Sequence, residues 1–298
     1  MTTSAAPSQR VGTSPIDKAY DARHSVDAAT FTASLERWAS LSAECRATVP
    51  CHLDLCYDES SGQKLDLFCD PVRRGQPVFL FVHGGYWRMS SKNDASFMAA
   101  NFARFGVATV AIDYPLVPAA TLETIIDQVR ASLVWLFRHA EHYGLDPERI
   151  VVSGSSAGGH LAAALLADNY RSTAGMPVSC PHGAVLISGL YDMQPVRESF
   201  VNDWLQLDHA RAAATSPIRT LTDHPVPLAI VHGEHEPVGF KEQADLFARH
   251  CHTRWPDSAG NVEAFEVPDR HHFDVLLDLA DPASRLTKTT LALLGVST

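Results

Sequence analysis

From Gln76 to Thr298 short apolar runs alternate with longer segments of helical periodicity, and no other feature restricts the chain's fold as much. The runs are "PVFLFV", "VATVAIDY", "RIVVSGS", "HGAVLIS", "PLAIVHG" and "VEAFEVP". The first of these, Val78 to Val82, is apolar at every place, as in a strand covered on both faces. Helices are expected near 92–104, 121–143 and 240–251, in "AGGHLAAALLA", and from "FDVLLDLA" onward. Such alternation specifies an α/β protein with a mostly parallel, doubly wound sheet and helices on both faces. Ahead of it, "HLDLCY" and "KLDLFC" alternate apolar and polar residues around "DESSGQ", a hairpin that adds an antiparallel N-terminal edge. Earlier still, Phe31, Leu35, Trp38 and Leu41 recur at helical spacing within 26–48.

Residues 1–20 read as a mobile tail, since "MTTSAAPSQRVGTSP" has no apolar h-region of a signal peptide. One domain is then expected over 21–298, because neither a repeat nor a Gly/Ser linker interrupts it. The stretch 190–225 falls outside the rhythm, with Tyr191, Phe200 and Trp204 among several prolines. Long excursions of this kind are lids and substrate-binding loops, or surface insertions with a small core of their own.

Composition narrows the partners. The formal charge of −10, from 24 basic and 34 acidic residues without a block of like charges, argues against nucleic acid or an anionic membrane. No run approaches the ~20 apolar residues of a transmembrane helix. Six cysteines without a CxxC pair are expected as free thiols in a reducing cytoplasm. "HGEHE" crowds titratable residues together but fits no common metal-ligand spacing, so no metal is expected there. Nothing in the sequence fixes the oligomeric state, and a homodimer is allowed.

"VVSGSSAGGH" sets Gly154, Ser156 and Gly158 as G-x-S-x-G between a buried strand and a helix, the context of a nucleophile elbow. The turn is so tight that the residues two before and two after the nucleophile must be small. Ser156 has glycine at both places, whereas Ser155 has Ser153 and Ala157, so Ser156 is the candidate nucleophile. A serine hydroxyl needs a base, and the base an orienting acid, in the chain order Ser, Asp or Glu, His. After the last strand "VPDRHHFDV" offers His271 and His272, with His272 preferred because it directly precedes the final helix. After "PLAIVHG" the acid is Glu234 or Glu236; Glu236 is favoured, at the turn into the next helix. "FVHGGYW" follows another strand, so the backbone N–H groups of Gly84, Gly85 and Ala157 are candidate oxyanion donors. His83 is expected to hold that loop by hydrogen bonds, and Tyr86 and Trp87 to line the mouth as substrate-binding faces.

With these residues in place the chain resembles the α/β-hydrolase form of kynurenine formamidase (arylformamidase), related to the hormone-sensitive-lipase-like esterases. His83-Gly84-Gly85-Tyr86-Trp87 looks like the formamidase H-G-G-x-W, where the esterases carry H-G-G-G. "GSSAGGHLAAALL" is similar to the family's nucleophile region, although Ser155 stands where histidine is frequent. "ISGLYDMQPVRESFVNDWLQLD" with "SPI" at 216–218, "VHGEHEPVGFKEQADLF" and "HHF" carry the likeness onward. They put Glu236 at the family's acid position, usually aspartate, and His272 at its histidine. The resemblance implies an α/β-hydrolase fold and a Ser-Glu-His triad that acts without cofactor on an aryl amide or ester. The implied substrate is N-formyl-L-kynurenine, with aryl esters and carbamates as the alternative. A binding protein on a dead hydrolase scaffold is the rival of another class; it would not react with a fluorophosphonate at Ser156.

Overall fold

The computed structural model describes residues 14–297. Eight strands form one sheet: β1 (Cys51–Asp58), β2 (Gln63–Phe68), β3 (Gln76–Val82), β4 (Ala108–Ile112), β5 (Leu145–Ser155), β6 (Gly183–Ile187), β7 (Leu228–His235) and β8 (Val262–His271). Their spatial order is β1-β2-β4-β3-β5-β6-β7-β8. β1 pairs antiparallel with β2 and β2 antiparallel with β4, while every later pairing is parallel. With helices on both faces this is the α/β-hydrolase fold.

The non-alternating strands follow from double burial. Val78, Leu80 and Val82 of β3 enter the core on one face, and Phe79 and Phe81 the core on the other. Successive side chains point to opposite faces, so a strand covered on both sides needs apolar residues at every place. The helices that concern the site are α1 (Pro15–Ala19), α2 (Ala28–Thr48), α3 (Ala99–Ala103), α4 (Leu122–His139) and α5 (Ala157–Ala164). α4 buries Leu122, Ile125, Ile126, Val129, Leu133 and Leu136, a stripe at spacings of three and four. Asp27 caps α2 by accepting the Thr30 N–H at 2.7 Å.

Some boundaries differ from the expected ones. The helix expected near 92–104 is a 3-10 turn, Lys92–Asp94, and the short α3. Lys92 pins the turn, its Nζ 2.9 Å from both Asp54 and Asp66 and its N–H donating to Asp113. The closing helix breaks into a 3-10 segment, Val275–Ala280, and a helix, Arg285–Leu293, with Pro282 between them. The expected tail through residue 20 ends too late. Residues 1–13 lie outside the described residues, but α1 is capped by Ser14, and Tyr20 is buried and bonded through its hydroxyl to Gln243.

Candidate active site

β5 ends at Ser155 and α5 starts at Ala157, so one residue makes the whole turn. Ser156 stands at φ +58° and ψ −121°, a region that clashes for residues with a Cβ. Two hydrogen bonds hold it there: its N–H donates to the Ile187 carbonyl at 2.9 Å, and its carbonyl accepts from the His160 N–H at 3.1 Å. The flanking glycines allow the approach. A Cβ on Gly154 would strike the carbonyl of Gly158, and one on Gly158 the carbonyl of Val82. Ser156 is 7% exposed and borders a cavity of about 570 Å³ that His272, Gly84 and Gly85 also border.

The ends of β7 and β8 bring Glu236 to His272. Glu236 Oε2 lies 2.8 Å from His272 Nδ1, and both side chains are buried. Oε1 accepts from Ser188 Oγ at 2.5 Å and from the Gly233 N–H at 2.7 Å. Burial alone would raise the Glu236 carboxyl; the charge of a protonated His272 and these donors outweigh it, and the group is held below its ordinary value. A carboxylate only accepts, so Nδ1 carries a proton, and in the neutral ring Nε2 keeps its lone pair. Glu234 is exposed and bonds instead to the Asp269 N–H at 2.9 Å. His271 turns to Asp274 and to the Phe273 N–H.

The loop after β3 crosses in front of this edge. His83 Nδ1 donates to the Gly84 carbonyl at 2.8 Å, its ring stacks on Tyr114 at 4.1 Å, and the Tyr114 hydroxyl donates to the His83 carbonyl. Burial depresses His83 to about 4, so it is neutral near pH 7. A Cβ on Gly84 would come within 2.8 Å of the Ser155 carbonyl, which brings this loop against the elbow. The N–H of Ala157 belongs to the first turn of α5, where no carbonyl of the helix can reach it.

Comparison with known proteins bears on the fold and the family. The BD-FAE family model matches residues 65–176. A putative thioesterase from Silicibacter sp. superposes with a TM-score of 0.78 at 27% identity, over 92% of this chain and 98% of that one. The carboxylesterase EstE1 from a metagenomic library shares the fold, with a TM-score of 0.68 at 20% identity over 89% and 95%. The kynurenine formamidase of Danio rerio is 30% identical over 252 residues, 82% of each chain. The chain belongs to the kynurenine formamidase family. It is therefore a hydrolase of the serine-hydrolase type that acts on esters or amides.

Within the family's fold, two expected side chains have separate fates. Tyr86 borders the cavity, with its hydroxyl bonded to the Tyr20 carbonyl. Trp87 does not. It is 0% exposed and lies behind the loop, its Nε1–H donating to His160 Nδ1 at 3.3 Å and its ring edge-on to that imidazole. The positive φ of Tyr86 and Trp87, +51° and +59°, coils the loop so that consecutive side chains part in this way. The excursion 190–225 also lies behind: Trp204 Nε1 donates to the Tyr86 carbonyl at 3.2 Å, and among the described residues no part of it borders the cavity. In this structure it packs behind the glycine loop and does not cover the cavity.

The wall opposite the sheet comes instead from α2, whose Phe31, Leu35 and Trp38 border the cavity. Trp38 Nε1 donates to the Phe273 carbonyl at 3.0 Å, and Phe31 meets the Phe273 ring edge-on at 5.0 Å. The helical spacing of these residues marks an apolar face, but nothing local says what it faces. Ser188 carries no local signal either: it directly follows β6, and its bond to Glu236 exists only because β6 lies beside β7.

Proposed function

We propose that the chain hydrolyses N-formyl-L-kynurenine to L-kynurenine and formate through a formyl-enzyme on Ser156. Ser156 Oγ attacks the formyl carbon as its proton passes to His272 Nε2, and Glu236 stabilises the resulting imidazolium through Nδ1. The oxyanion receives the N–H groups of Gly84, Gly85 and Ala157. His272 then gives its proton to the aniline nitrogen, the C–N bond breaks, and kynurenine leaves. Water, deprotonated by His272, attacks the formyl ester and releases formate and the Ser156 hydroxyl.

The observation that carries this reading is that Ser156, the buried Glu236–His272 pair and the glycine loop converge on one cavity. What supports the substrate is kinship with the formamidases of Danio rerio and Salmo salar and an aromatic wall beside the nucleophile. The relative LipQ of Mycobacterium tuberculosis, named an esterase and 29% identical over 222 residues, supports a second reading, hydrolysis of aryl esters or carbamates. Rates on N-formyl-L-kynurenine, a short p-nitrophenyl ester and an aryl carbamate, measured side by side, separate the two. Preference for medium-chain aliphatic esters would leave a general carboxylesterase, and failure of a fluorophosphonate to label Ser156 would remove the nucleophile.

A further inference from the structure

The cavity is bordered by one guanidinium, Arg23, and two carboxylates, the half-buried Asp94 and the exposed Glu36 of α2, and among the described residues Arg23 is ion-paired to neither. Arg23, in the segment joining α1 to α2, borders it with its guanidinium carbon 4.2 Å above the Phe31 ring. That ring meets Phe273, the neighbour of His272, so the cation lies two ring contacts from the candidate base. Stacking fixes the plane of a guanidinium and leaves its edge N–H groups free to donate in a fork. Among the described residues Arg23 forms no ion pair, and its contact is the ring.

Asp94 borders the same cavity from the 3-10 turn after the glycine loop. Its side chain accepts only long bonds, from Ser90 Oγ at 3.4 Å and Ser91 Oγ at 3.5 Å. The nearby cation Lys92 is already committed to Asp54 and Asp66. A half-buried charge without a counter-charge is costly, and a ligand that supplies one recovers part of that cost. A ligand bearing both charges, an anion toward α2 and a cation toward the glycine loop, suits the pair; a neutral aryl ester supplies neither.

We infer that Arg23 and Asp94 are the residues that set specificity for the α-amino-acid end of the proposed substrate, Arg23 taking the carboxylate and Asp94 the ammonium group. This rests on the hydrolase reading above and adds two specificity-determining residues to that site. A charge-assisted pair of this kind is worth roughly ten- to hundredfold in kcat/KM.

The test compares N-formyl-L-kynurenine with ortho-formamidoacetophenone, which keeps the aryl ketone and lacks the amino-acid end. A second pair, ortho-acetoxyphenylpropanoate and its neutral amide, differs only in the carboxylate. Wild type is expected to prefer the charged member of each pair, and Arg23→Gln to lower the first ratio and bring the second to about one, with Arg23→Lys between. Asp94→Asn should lower the first ratio and spare the second. No preference in wild type, a preference for the carboxylate over its amide that survives Arg23→Gln, or a first ratio unmoved by Asp94→Asn overturns the inference. If neither formamide is cleaved but the acetate pair shows the Arg23-dependent ratio, the formamidase reading fails and the carboxylate site stands.

Discussion

The sheet-end wall of the cavity is made of strand C-termini and loops whose backbones are over-determined, whereas the wall opposite is one face of a single helix. On the first, Ser156 is strained and flanked by glycines that no larger residue can replace, and Glu236 has every oxygen engaged. On the second, Phe31, Leu35 and Trp38 of α2 are half-buried and touch the rest of the site through ring contacts and one hydrogen bond. The difference teaches a division of labour. Bond-breaking needs atoms fixed to fractions of an ångström, and only a packed sheet edge gives that; selecting a leaving group needs shape, and a docked helix suffices.

If that division holds, substitutions on the two walls should differ in kind as well as size. Ser156→Ala and His272→Ala are expected to lower kcat by ~10⁴ or more without moving the melting temperature much, since triad members act as a unit. His271→Ala should be mild, because its ring faces Asp274. A larger loss from His271→Ala would mean that the base is misassigned. Next in size, Glu236→Gln keeps the shape and removes the charge, for a fall in kcat on the order of 10³ with little change in KM. Ser188→Ala, which removes one donor from Oε1, should cost roughly ten- to hundredfold. Glu234→Gln should stay near wild type, and equal losses from Glu234 and Glu236 would dissolve the distinction between them.

How much of this could be read from the chain follows the same division. The elbow and the strand rhythm are local patterns, so the strands and the candidates Ser156, Glu236 and His272 could be proposed from the chain, and the Glu236–His272 contact follows from where β7 and β8 end. The antiparallel edge was equally legible, because a hairpin is local. What spacing could not reveal is which face meets which. Trp87 and Trp38 are the same residue type, each in an apolar context, yet the one beside the glycines turns inward to His160 and the one far ahead in sequence reaches the cavity. Their exchange of roles depends on a positive φ and on a helix docking across the sheet, and neither leaves a mark within a short window.

Behind the sheet-end wall, His160 joins Trp87 to the excursion, since its Nε2–H donates to the Thr215 carbonyl at 2.8 Å while Nδ1 accepts from Trp87. Trp87→Ala should therefore cost stability, about 3–5 kcal/mol by denaturant titration, and not selectivity. Burial depresses both His160 and His83 to about 4. The unfolded chain takes up these protons near the ordinary histidine value and the folded chain only near 4, so between the two the unfolded state binds more protons. Stability is full above about pH 6.5 and falls as the pH drops toward 4, by on the order of 3 kcal/mol per histidine. His160→Gln should flatten that decline in urea midpoints taken from pH 7 to 4; an unchanged slope would place the acid sensitivity elsewhere.

The smallest effect is the one that best separates the walls. Trp38 is half-buried, so its loss removes a flat face without opening a core cavity. One aromatic face contributes ~0.5–1.5 kcal/mol beyond area burial, about threefold to tenfold in kcat/KM. Trp38→Ala is thus expected to erode the preference for aryl amides and esters over aliphatic esters of equal acyl size by that factor. The indole also donates to the Phe273 carbonyl, next to His272, so a fall on every substrate could come from a displaced base. Trp38→Phe settles this, since it keeps a ring and loses the donor. If Phe retains the aryl preference and Ala loses it, the wall selects by stacking. If both variants lose rate equally on aryl and aliphatic substrates, α2 positions His272 through Phe273, and the two walls are one machine.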